Sequence, residues 1–237
     1  MIVYRDEAVT VVNKPAGMLS EPGGNGRDVI SAVRELTGTE CRPVHRLDRG
    51  TAGLMVLANT AAAAAALSAA IAEGRMEKTY LAAVCGRPEP PEGEMRDLLF
   101  RDAGKNKSYT VRRMRKGVRE ARLAYRTLGS EDTENGPLTL VSVALDTGRT
   151  HQIRVQFASR GMPLAGDGRY GGRSRGPAPA LFSAGLRFPH PVTGEPMAFR
   201  ALPDPETEAW RPAAALLSAC AADMRNMRKD GEGADDG

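Results

Sequence analysis

The sequence of 237 residues predicts an α+β fold built on a mixed, mostly antiparallel sheet. Strand-like apolar runs recur along the chain, a few helical segments separate them, and the regular strand–helix alternation of a parallel sheet is not evident. The length is sufficient for one domain with a substantial core. We therefore expect a single domain over residues 1–223 and a polar, glycine-containing, disordered tail over 224–237.

The first part of the chain is predicted to contain two strands and two helices. The first strand ends at Lys14-Pro15-Ala16-Gly17, where proline and glycine favour a turn. The second helix is rich in alanine, is preceded by Thr60 as a candidate N-cap, and is followed by Gly74. The predicted strands are 8–13 and 54–58, and the predicted helices are 28–37 and 61–73.

The remainder of the chain contains more strand-like runs than helices. Pro88, Pro90 and Pro91 predict a surface loop between two of these runs. The predicted strands are 79–84, 108–113, 122–128, 138–145, 181–188 and 197–201, and the predicted helices are 150–160 and 206–222.

The composition argues against several classes of protein. No apolar stretch approaches the roughly 20 residues needed to cross a bilayer, and the N-terminus lacks the features of a signal peptide. Cys41, Cys85 and Cys220 form no C-x-x-C pair, and the three histidines are scattered. We expect a cytoplasmic protein without a membrane segment, a disulfide framework or a metal site.

The positive charge is concentrated in one segment. The net charge is +4, and 27 of the 33 basic residues are arginine. One acidic residue, Glu120, lies within a segment that otherwise carries nine basic residues: Lys105, Lys107, Arg112, Arg113, Arg115, Lys116, Arg119, Arg122 and Arg126. This distribution predicts a nucleic acid or another polyanion as partner.

A second notable segment is HRLDRGTAG, residues 45–53. Asp48 lies between Arg46 and Arg49, and nearby positive charge favours the ionised form of a carboxyl group. The glycines allow tight turns and close approach of a ligand to the backbone. An ordinary surface turn with a weak Asp–Arg pair is the alternative for this segment taken alone.

Further motifs give the Asp48 segment a context. They are VVNKPAGMLSEPG at 11–23, MEKTYLAAVCG at 76–86, LDTGRTHQIRVQFASRGMPLAGDGRYGG at 145–172 and LFSAGLRFPHPVTGE at 181–195. In this order, and over about residues 8–203, the sequence resembles the RluA family of RNA pseudouridine synthases. The resemblance implies the pseudouridine synthase catalytic fold, with flanking helices and a central RNA-binding cleft. It also implies isomerisation of uridine to pseudouridine without a metal or an organic cofactor.

The resemblance implies catalytic roles for Asp48, Tyr80 and Arg154. Asp48 corresponds to the catalytic carboxylate, acting either as a nucleophile or in removal of a ribose proton. Arg154 corresponds to the arginine that pairs with this carboxylate. A guanidinium suits that role, because it can hold a carboxylate in a fixed geometry. Tyr80 corresponds to the ring on which the uracil stacks, and its phenol is a candidate proton acceptor. A phosphate contact for Arg154 and a core position for Tyr80 are the alternatives.

Other residues are expected to contact RNA. Arg46 corresponds to the arginine that enters the RNA beside the flipped nucleotide, with a phosphate contact or an ordinary surface charge as the alternatives. The remaining expected contacts are His45, Arg49, Arg112, Arg113, Arg149 and His151. His45, His151 and Gln152 are expected to organise loops or to contact RNA, rather than to act in catalysis.

The sequence departs from the family pattern at two positions. Ala52 stands where the family usually has serine, and Glu21 stands where it often has histidine. The catalytic pattern begins within the first dozen residues, and we therefore expect no S4 domain of the kind that precedes it in many relatives. We expect a monomer that recognises a stem-loop of ribosomal or transfer RNA through the catalytic domain and the basic segment.

Two other functions are alternatives for this sequence. A catalytically inactive RNA-binding protein on the same scaffold would not require Asp48, Tyr80 and Arg154. A phosphoaspartyl phosphatase usually has its aspartate after a hydrophobic strand. Here the apolar run follows Asp48, and position 50 is glycine rather than a second aspartate, which argues against this function.

Overall fold

A computed structural model describes residues 1–23, 26–171, 176 and 178–222 of the protein. Within these residues, 11 strands form one sheet. The predicted tail over 224–237 and the last residue of the predicted domain lie outside the described residues. No helix in the described part is long and apolar enough to cross a membrane.

Four helical segments lie between or after the strands of the described chain. The strands are β1 (Ile2–Arg5), β2 (Val9–Lys14), β3 (Arg42–Pro43), β4 (Ala52–Ala58), β5 (Glu77–Cys85), β6 (Glu92–Asp102), β7 (Lys107–Val111), β8 (Val118–Thr133), β9 (Gly136–Leu145), β10 (Leu181–Pro189) and β11 (Pro196–Arg200). The α-helices are α1 (Val29–Thr37), α2 (Ala61–Ala72), α3 (Gln152–Ala158) and α4 (214–222), the last preceded by a 3₁₀ turn, Arg211–Ala213.

The sheet is mixed and mostly antiparallel, as the sequence predicts. Its strand order is β1-β2-β4-β10-β5-β9-β8-β6-β7, with β3 paired to β4 and β11 paired to β10. Among the described strands, β4 and β10 form the parallel pair, through Phe182 beside Ala52 and Ser183 beside Gly53. This pair joins two distant parts of the chain at the start of β4, directly after the Asp48 segment.

The central strands are buried on both faces. In β4, Met55 and Leu57 belong to one apolar cluster, whereas Leu54 and Val56 belong to another. Because side chains alternate between the faces of a strand, the sheet separates two cores. The first core contains residues of α1, α3 and β5, and the second lies under α2. Burial on both faces explains why β4 is a continuous apolar run rather than an alternating one.

The helix boundaries largely follow the capping residues. The side chain of Thr60 accepts a hydrogen bond of 3.0 Å from the Ala63 amide, which confirms Thr60 as the N-cap of α2. Asp28 caps α1 in the same way, accepting from the Ser31 amide at 2.8 Å. These contacts satisfy amide groups that a helix leaves unpaired at its start.

Strands β1, β3 and β6 were not predicted from the sequence. In β6, Met95 and Leu99 are the fully buried side chains, and charged residues occupy most of the other positions. Its pairing with β7 on one side and β8 on the other stabilises it as a strand. Apolar periodicity therefore gives only a weak signal for this segment.

The predicted helix over 206–222 is wrong in its first half. The chain forms turns up to Trp210, and the α-helix begins only at 214. Pro212 lies in the 3₁₀ turn at the start of this helical segment. A proline has no amide hydrogen and is tolerated in a first turn, but it would disrupt the interior of a helix that began at 206.

Candidate active site

The segment 45–51 forms a loop that enters β4, and hydrogen bonds attach it to the segment 14–20. Inside the loop, the Thr51 amide donates to the Asp48 carbonyl at 2.9 Å. The hydroxyl of Ser20 donates to the Leu47 carbonyl at 2.8 Å and accepts from the Leu47 amide at 2.9 Å. The Gly17 amide donates to the Arg49 carbonyl at 2.8 Å. These contacts fix the backbone on both sides of Asp48.

Lys14 lies buried beneath this loop. Its ammonium donates to the carbonyls of Pro15 at 3.1 Å, Met18 at 2.8 Å and Arg49 at 3.4 Å. Burial lowers the pKa of Lys14 to about 8, and the negative charge of Asp48 opposes the shift. From the sequence, Lys14 is predicted only to end a strand. The sequence signal is a lysine at the end of a largely apolar strand, separated from Val12 by Asn13.

Gly53 allows the Asp48 loop to approach β10 closely. A Cβ atom at this position would lie 2.4 Å from the carbonyl oxygen of Ser183, and the backbone has a φ of +113°. Both features require glycine. Ser183 is in turn paired with Tyr80 across β10 and β5. The contact at Gly53 therefore sets the position of the Asp48 loop relative to Tyr80.

Tyr80 is buried near the start of β5, on the face of the first core. Burial and the charge of Asp48 both raise the pKa of its phenol, and a hydrogen bond with Ser183 opposes the shift. The phenol is therefore neutral near pH 7. Tyr80 and Asp48, which lie far apart in the sequence, line the same cavity.

Arg154 is held by a second carboxylate that the sequence analysis did not identify. Its Nε donates to Oδ2 of Asp167 at 2.7 Å, and its Nη2 donates to Oδ1 of the same group at 2.8 Å. The third nitrogen, Nη1, lies 3.8 Å from Oδ2 of Asp48. Burial acts to lower the pKa of Arg154, but Asp167 and Asp48 outweigh it and raise the pKa. Arg154 is thus fixed by Asp167 and faces Asp48.

His151 approaches the same oxygen of Asp48. Its Nε2 lies 3.8 Å from Asp48 Oδ2, and its Nδ1 lies 2.9 Å from the hydroxyl of Tyr170. Burial lowers the pKa of His151, although Asp48 acts in the opposite direction. Asp167 and Tyr170 both occur in the motif at 145–172. The sequence signal that could have pointed to them is the short polar turn between glycines in this motif.

These side chains line two adjoining spaces. The smaller has an empty volume of about 530 Å³ and is lined by Asp48, Tyr80, Arg149 and His151, among others. The larger is an open groove of about 1620 Å³ that reaches Arg154 and Asp167 and also borders Asp48.

Arg46 and Arg49 extend from the loop without contacting the Asp48 carboxylate. Arg46 donates to Glu21 at 2.7 Å, and both side chains are largely exposed at the rim of the groove. Arg49 donates through Nε to the Gly17 carbonyl at 2.9 Å. Glu21, one of the two departures from the family pattern, is therefore the partner of Arg46.

His45 and Gln152 make contacts that organise the backbone. His45 Nε2 accepts from the Val56 amide at 3.1 Å, and burial, with a smaller effect of Lys78, lowers the pKa of its ring to about 3. Gln152 accepts from the Arg149 amide at 3.0 Å. These contacts fit the loop-organising alternative for both residues. An RNA contact by His45 stays a prediction.

Of the remaining predicted RNA contacts, Arg149 lines the small cavity, whereas Arg112 and Arg113 lie away from it. Arg149 is exposed, and its Nε donates to the Glu120 carbonyl at 3.0 Å. Arg112 and Arg113 are exposed just after β7, and neither is among the described residues that line the two spaces. Within the described chain, no group of three or more His, Cys, Asp or Glu side chains is arranged to hold a metal ion.

Comparison with known proteins identifies the family. The sequence profile of RNA pseudouridylate synthases matches residues 8–159, which is more than half of the chain. The chain belongs to the RNA pseudouridylate synthase family. This agrees with the resemblance found in the sequence motifs.

Individual family members match most of the chain. The uncharacterized RNA pseudouridine synthase YhcT of Bacillus subtilis is 34% identical over 82% of this chain, which spans 65% of the YhcT length. The dual-specificity RNA pseudouridine synthase RluA of Escherichia coli is 32% identical, with coverage of 86% of this chain and 93% of RluA. The structure of human RNA pseudouridylate synthase domain containing 1 superposes with a TM-score of 0.72 at 26% identity, covering 88% of this chain and 85% of that one.

Proposed function

We propose that this pseudouridylate synthase family member isomerises specific uridines in structured RNA to pseudouridine, with Asp48 as the catalytic carboxylate. The observation that carries the proposal is the convergence of Asp48, Tyr80 and Arg154 from three separate elements. Asp48 borders both the small cavity and the groove, Tyr80 lines the cavity, and Arg154 lines the groove. A nucleotide flipped from RNA in the groove could therefore meet all three side chains.

Asp48 is well placed for either of its proposed roles. The reaction breaks the bond between ribose C1′ and uracil N1, turns the base and joins C1′ to C5. C5 then loses its proton and N1 gains one, so that the product is an isomer of uridine. The carboxylate must reach the ribose or the base in both versions of the mechanism. Its side chain is 23% exposed, and the two basic groups nearest to Oδ2 in the described network stand back at 3.8 Å. This arrangement supplies positive charge while leaving the oxygen accessible.

In this proposal Arg154 faces the carboxylate of Asp48 and holds it in position. Its side chain is 8% exposed, and two of its nitrogens donate hydrogen bonds to Asp167. Bidentate bonding fixes a guanidinium plane in a way that a lysine could not. The burial and the fixed geometry favour pairing with Asp48 over the alternative of an RNA phosphate contact.

Tyr80 is proposed as the surface on which the free uracil stacks as it turns. Its ring lines the small cavity, and aromatic faces are suited to stacking on nucleobases. Burial and Asp48 raise the pKa of the phenol, so that the neutral form predominates. A neutral phenol is a poor proton acceptor, which favours the stacking role.

RNA is proposed to lie in the groove, with Arg46 at its rim. The ion pair of Arg46 with Glu21 is exposed, and exposed pairs contribute little free energy. Arg46 is therefore free to leave Glu21 and enter the RNA beside the flipped nucleotide. We propose a compact stem-loop of ribosomal or transfer RNA as the substrate and a monomer as the active form.

The exposed basic side chains after β7 are proposed to extend this interface. Substituting Arg112, Arg113 and Arg115 together by Ala should weaken RNA binding at low salt and reduce the salt dependence of log Kd by up to about three units of slope. A control triple at exposed arginines of other elements, Arg34, Arg75 and Arg187, should reduce it less. Equal slopes for the wild type and the first variant would remove this segment from the interface.

The function is tested on RNA that lacks the modification. Ribosomal and transfer RNA from cells without this gene should gain pseudouridine at discrete uridines when incubated with the purified protein, as mapped by carbodiimide modification and primer extension. Tight RNA binding without any gain of pseudouridine would instead support the inactive RNA-binding alternative.

A further inference from the structure

His151 occupies a constrained position at the beginning of α3. Its backbone has φ 55° and ψ 25°, in the left-handed region, and its side chain is 6% exposed. Residues other than glycine adopt this conformation at an energetic cost, and such residues are concentrated at functional sites. The side chain is therefore held in place by its surroundings rather than by the regular geometry of a helix.

The contacts of Tyr170 favour a proton on Nε2 of His151 rather than on Nδ1. The Ser108 amide donates to the Tyr170 oxygen at 2.8 Å, so this oxygen acts there as an acceptor. Its own hydrogen is then available for His151 Nδ1, which lies 2.9 Å away. A nitrogen that accepts a hydrogen bond bears no proton, and in a neutral imidazole the proton is then on the other nitrogen, Nε2.

The protonated nitrogen faces Asp48. His151 Nε2 and Arg154 Nη1 each lie 3.8 Å from Asp48 Oδ2. This distance is longer than a hydrogen bond, but hydrogen bonds in an active site often shorten only when the substrate is bound. A small rotation of the Asp48 side chain would bring its oxygen within reach of either donor.

The charges around His151 are consistent with a neutral ring. Burial lowers its pKa, Asp48 and Asp167 raise it, and Arg154 and Arg169 lower it, with a net decrease. The remaining ionisable group in contact with the ring is the Tyr170 phenol, whose pKa burial raises. Near pH 7 the ring is therefore uncharged and carries one proton.

We propose that His151 is a positioning residue that directs Nε2–H toward the Asp48 carboxylate, and that the Tyr170 hydroxyl fixes this tautomer. The functional part of the inference rests on the proposed role of Asp48 in pseudouridine formation. The tautomer itself does not, because it follows from the contacts of His151, Tyr170 and Ser108. An RNA contact by His151, considered from the sequence, becomes an outcome of the test.

Nitrogen-15 NMR of the full chain tests the tautomer directly. The chain has three histidines, so their two-bond correlations can be assigned by substitution. His151 should show the Nε2–H form at pH 7, and Tyr170→Phe should lower its population. His45 is an internal control that should show the opposite tautomer. Its Nε2 accepts a hydrogen bond from the Val56 amide, so its proton must be on Nδ1. A protonated His151, an Nδ1–H form, or an unchanged ratio in Tyr170→Phe would overturn the inference.

Two substitutions separate positioning from RNA contact. In His151→Asn the amide can still meet Tyr170 and tolerates the left-handed backbone, but it cannot reach Asp48. In His151→Gln the amide nitrogen lies near the place of Nε2. We expect His151→Asn to lower kcat by about 10- to 100-fold with unchanged RNA affinity, and His151→Gln to recover a large part of the loss.

The outcomes are distinguishable. Equal kcat for wild type and His151→Asn, or a loss of RNA affinity with unchanged kcat, would overturn the positioning role. Thermal unfolding of each variant verifies that it is folded. If the wild type makes no pseudouridine, the proposed function fails, whereas the NMR measurement still decides the tautomer and the role of Tyr170.

Discussion

Asp167→Asn is the substitution that most sharply tests how the site is held together. Asp167 is 1% exposed and accepts both of its strong hydrogen bonds from Arg154, at 2.7 and 2.8 Å. Asparagine has almost the same size, but it lacks the charge and turns one acceptor into a donor that faces the guanidinium. Arg154 would then be a buried cation with one of its two bonds removed.

The expected cost follows from the burial of the pair. Removing one partner of a buried ion pair typically destabilises a protein by about 3–5 kcal/mol. Here one acceptor is retained, and Asp48 at 3.8 Å supplies some negative charge. We therefore expect Asp167→Asn to lower the free energy of unfolding by about 3 kcal/mol, at the lower end of this range. Loss of the fixed guanidinium should also lower kcat.

Urea unfolding of a double-mutant cycle measures the coupling. Arg154→Gln should be similarly destabilising, but the double variant should lose less than the sum by about 2 kcal/mol, because the two amides can bond to each other. Asp132→Asn is a matched control. Asp132 pairs with Arg87 at 3.0 Å on the surface and should contribute less than about 1 kcal/mol.

Two results would refute this reasoning. One is a cost for Asp167→Asn as small as that of Asp132→Asn. The other is additivity of the Asp167 and Arg154 substitutions, which would mean that the two side chains do not depend on each other in the folded protein.

Three further substitutions probe the loop and the cavity. Gly53→Ala should lower the free energy of unfolding in urea by more than about 3 kcal/mol, because its Cβ would lie 2.4 Å from the Ser183 oxygen. The control Gly161→Ala meets no atom within 4 Å, so only its positive φ should destabilise the protein. Equal losses for the two variants would contradict the close approach at Gly53. The pKa of His45 is lowered to about 3 in the folded protein, so the unfolded chain binds more protons than the folded one between about pH 3 and 6.5. Through this residue, the free energy of unfolding should fall by about 2 kcal/mol from pH 7 to pH 5. His45→Gln should remove that part of the pH dependence, and identical slopes would disprove it. Tyr80→Phe should keep kcat within about threefold if the ring only stacks, and a block after glycosidic cleavage would instead make the phenol the proton acceptor.

The elements that were predicted correctly are those whose stability is encoded locally. β4 and β5 are continuous apolar runs because both of their faces are buried. α2 has a cap at Thr60 and a strong helical composition. In contrast, β6 is stabilised by its two neighbouring strands, and its many charged residues hide it from any pattern based on apolar spacing.

The sequence motifs predict the main residues of the candidate site but not the contacts that hold them. Motifs place Asp48, Tyr80 and Arg154 in one family pattern, and the fold brings them to adjoining spaces. The pairing of Arg154 with Asp167 depends on a turn after α3 that returns the carboxylate to the helix. Spacing along a sequence does not define such a return, so Arg154 was expected to pair mainly with Asp48. The sequence shows that Glu21 departs from the family pattern, whereas its pairing with Arg46 is visible only in the fold.

The central claim is that Asp48 carries out the chemistry on RNA bound in the groove. Its most direct test is single-turnover pseudouridine formation by the wild type and by Asp48→Asn on the same RNA, with Kd measured in parallel. We predict no detectable pseudouridine with Asp48→Asn, while its RNA affinity stays within a few-fold of the wild type. Turnover by Asp48→Asn near the wild-type rate would contradict the claim.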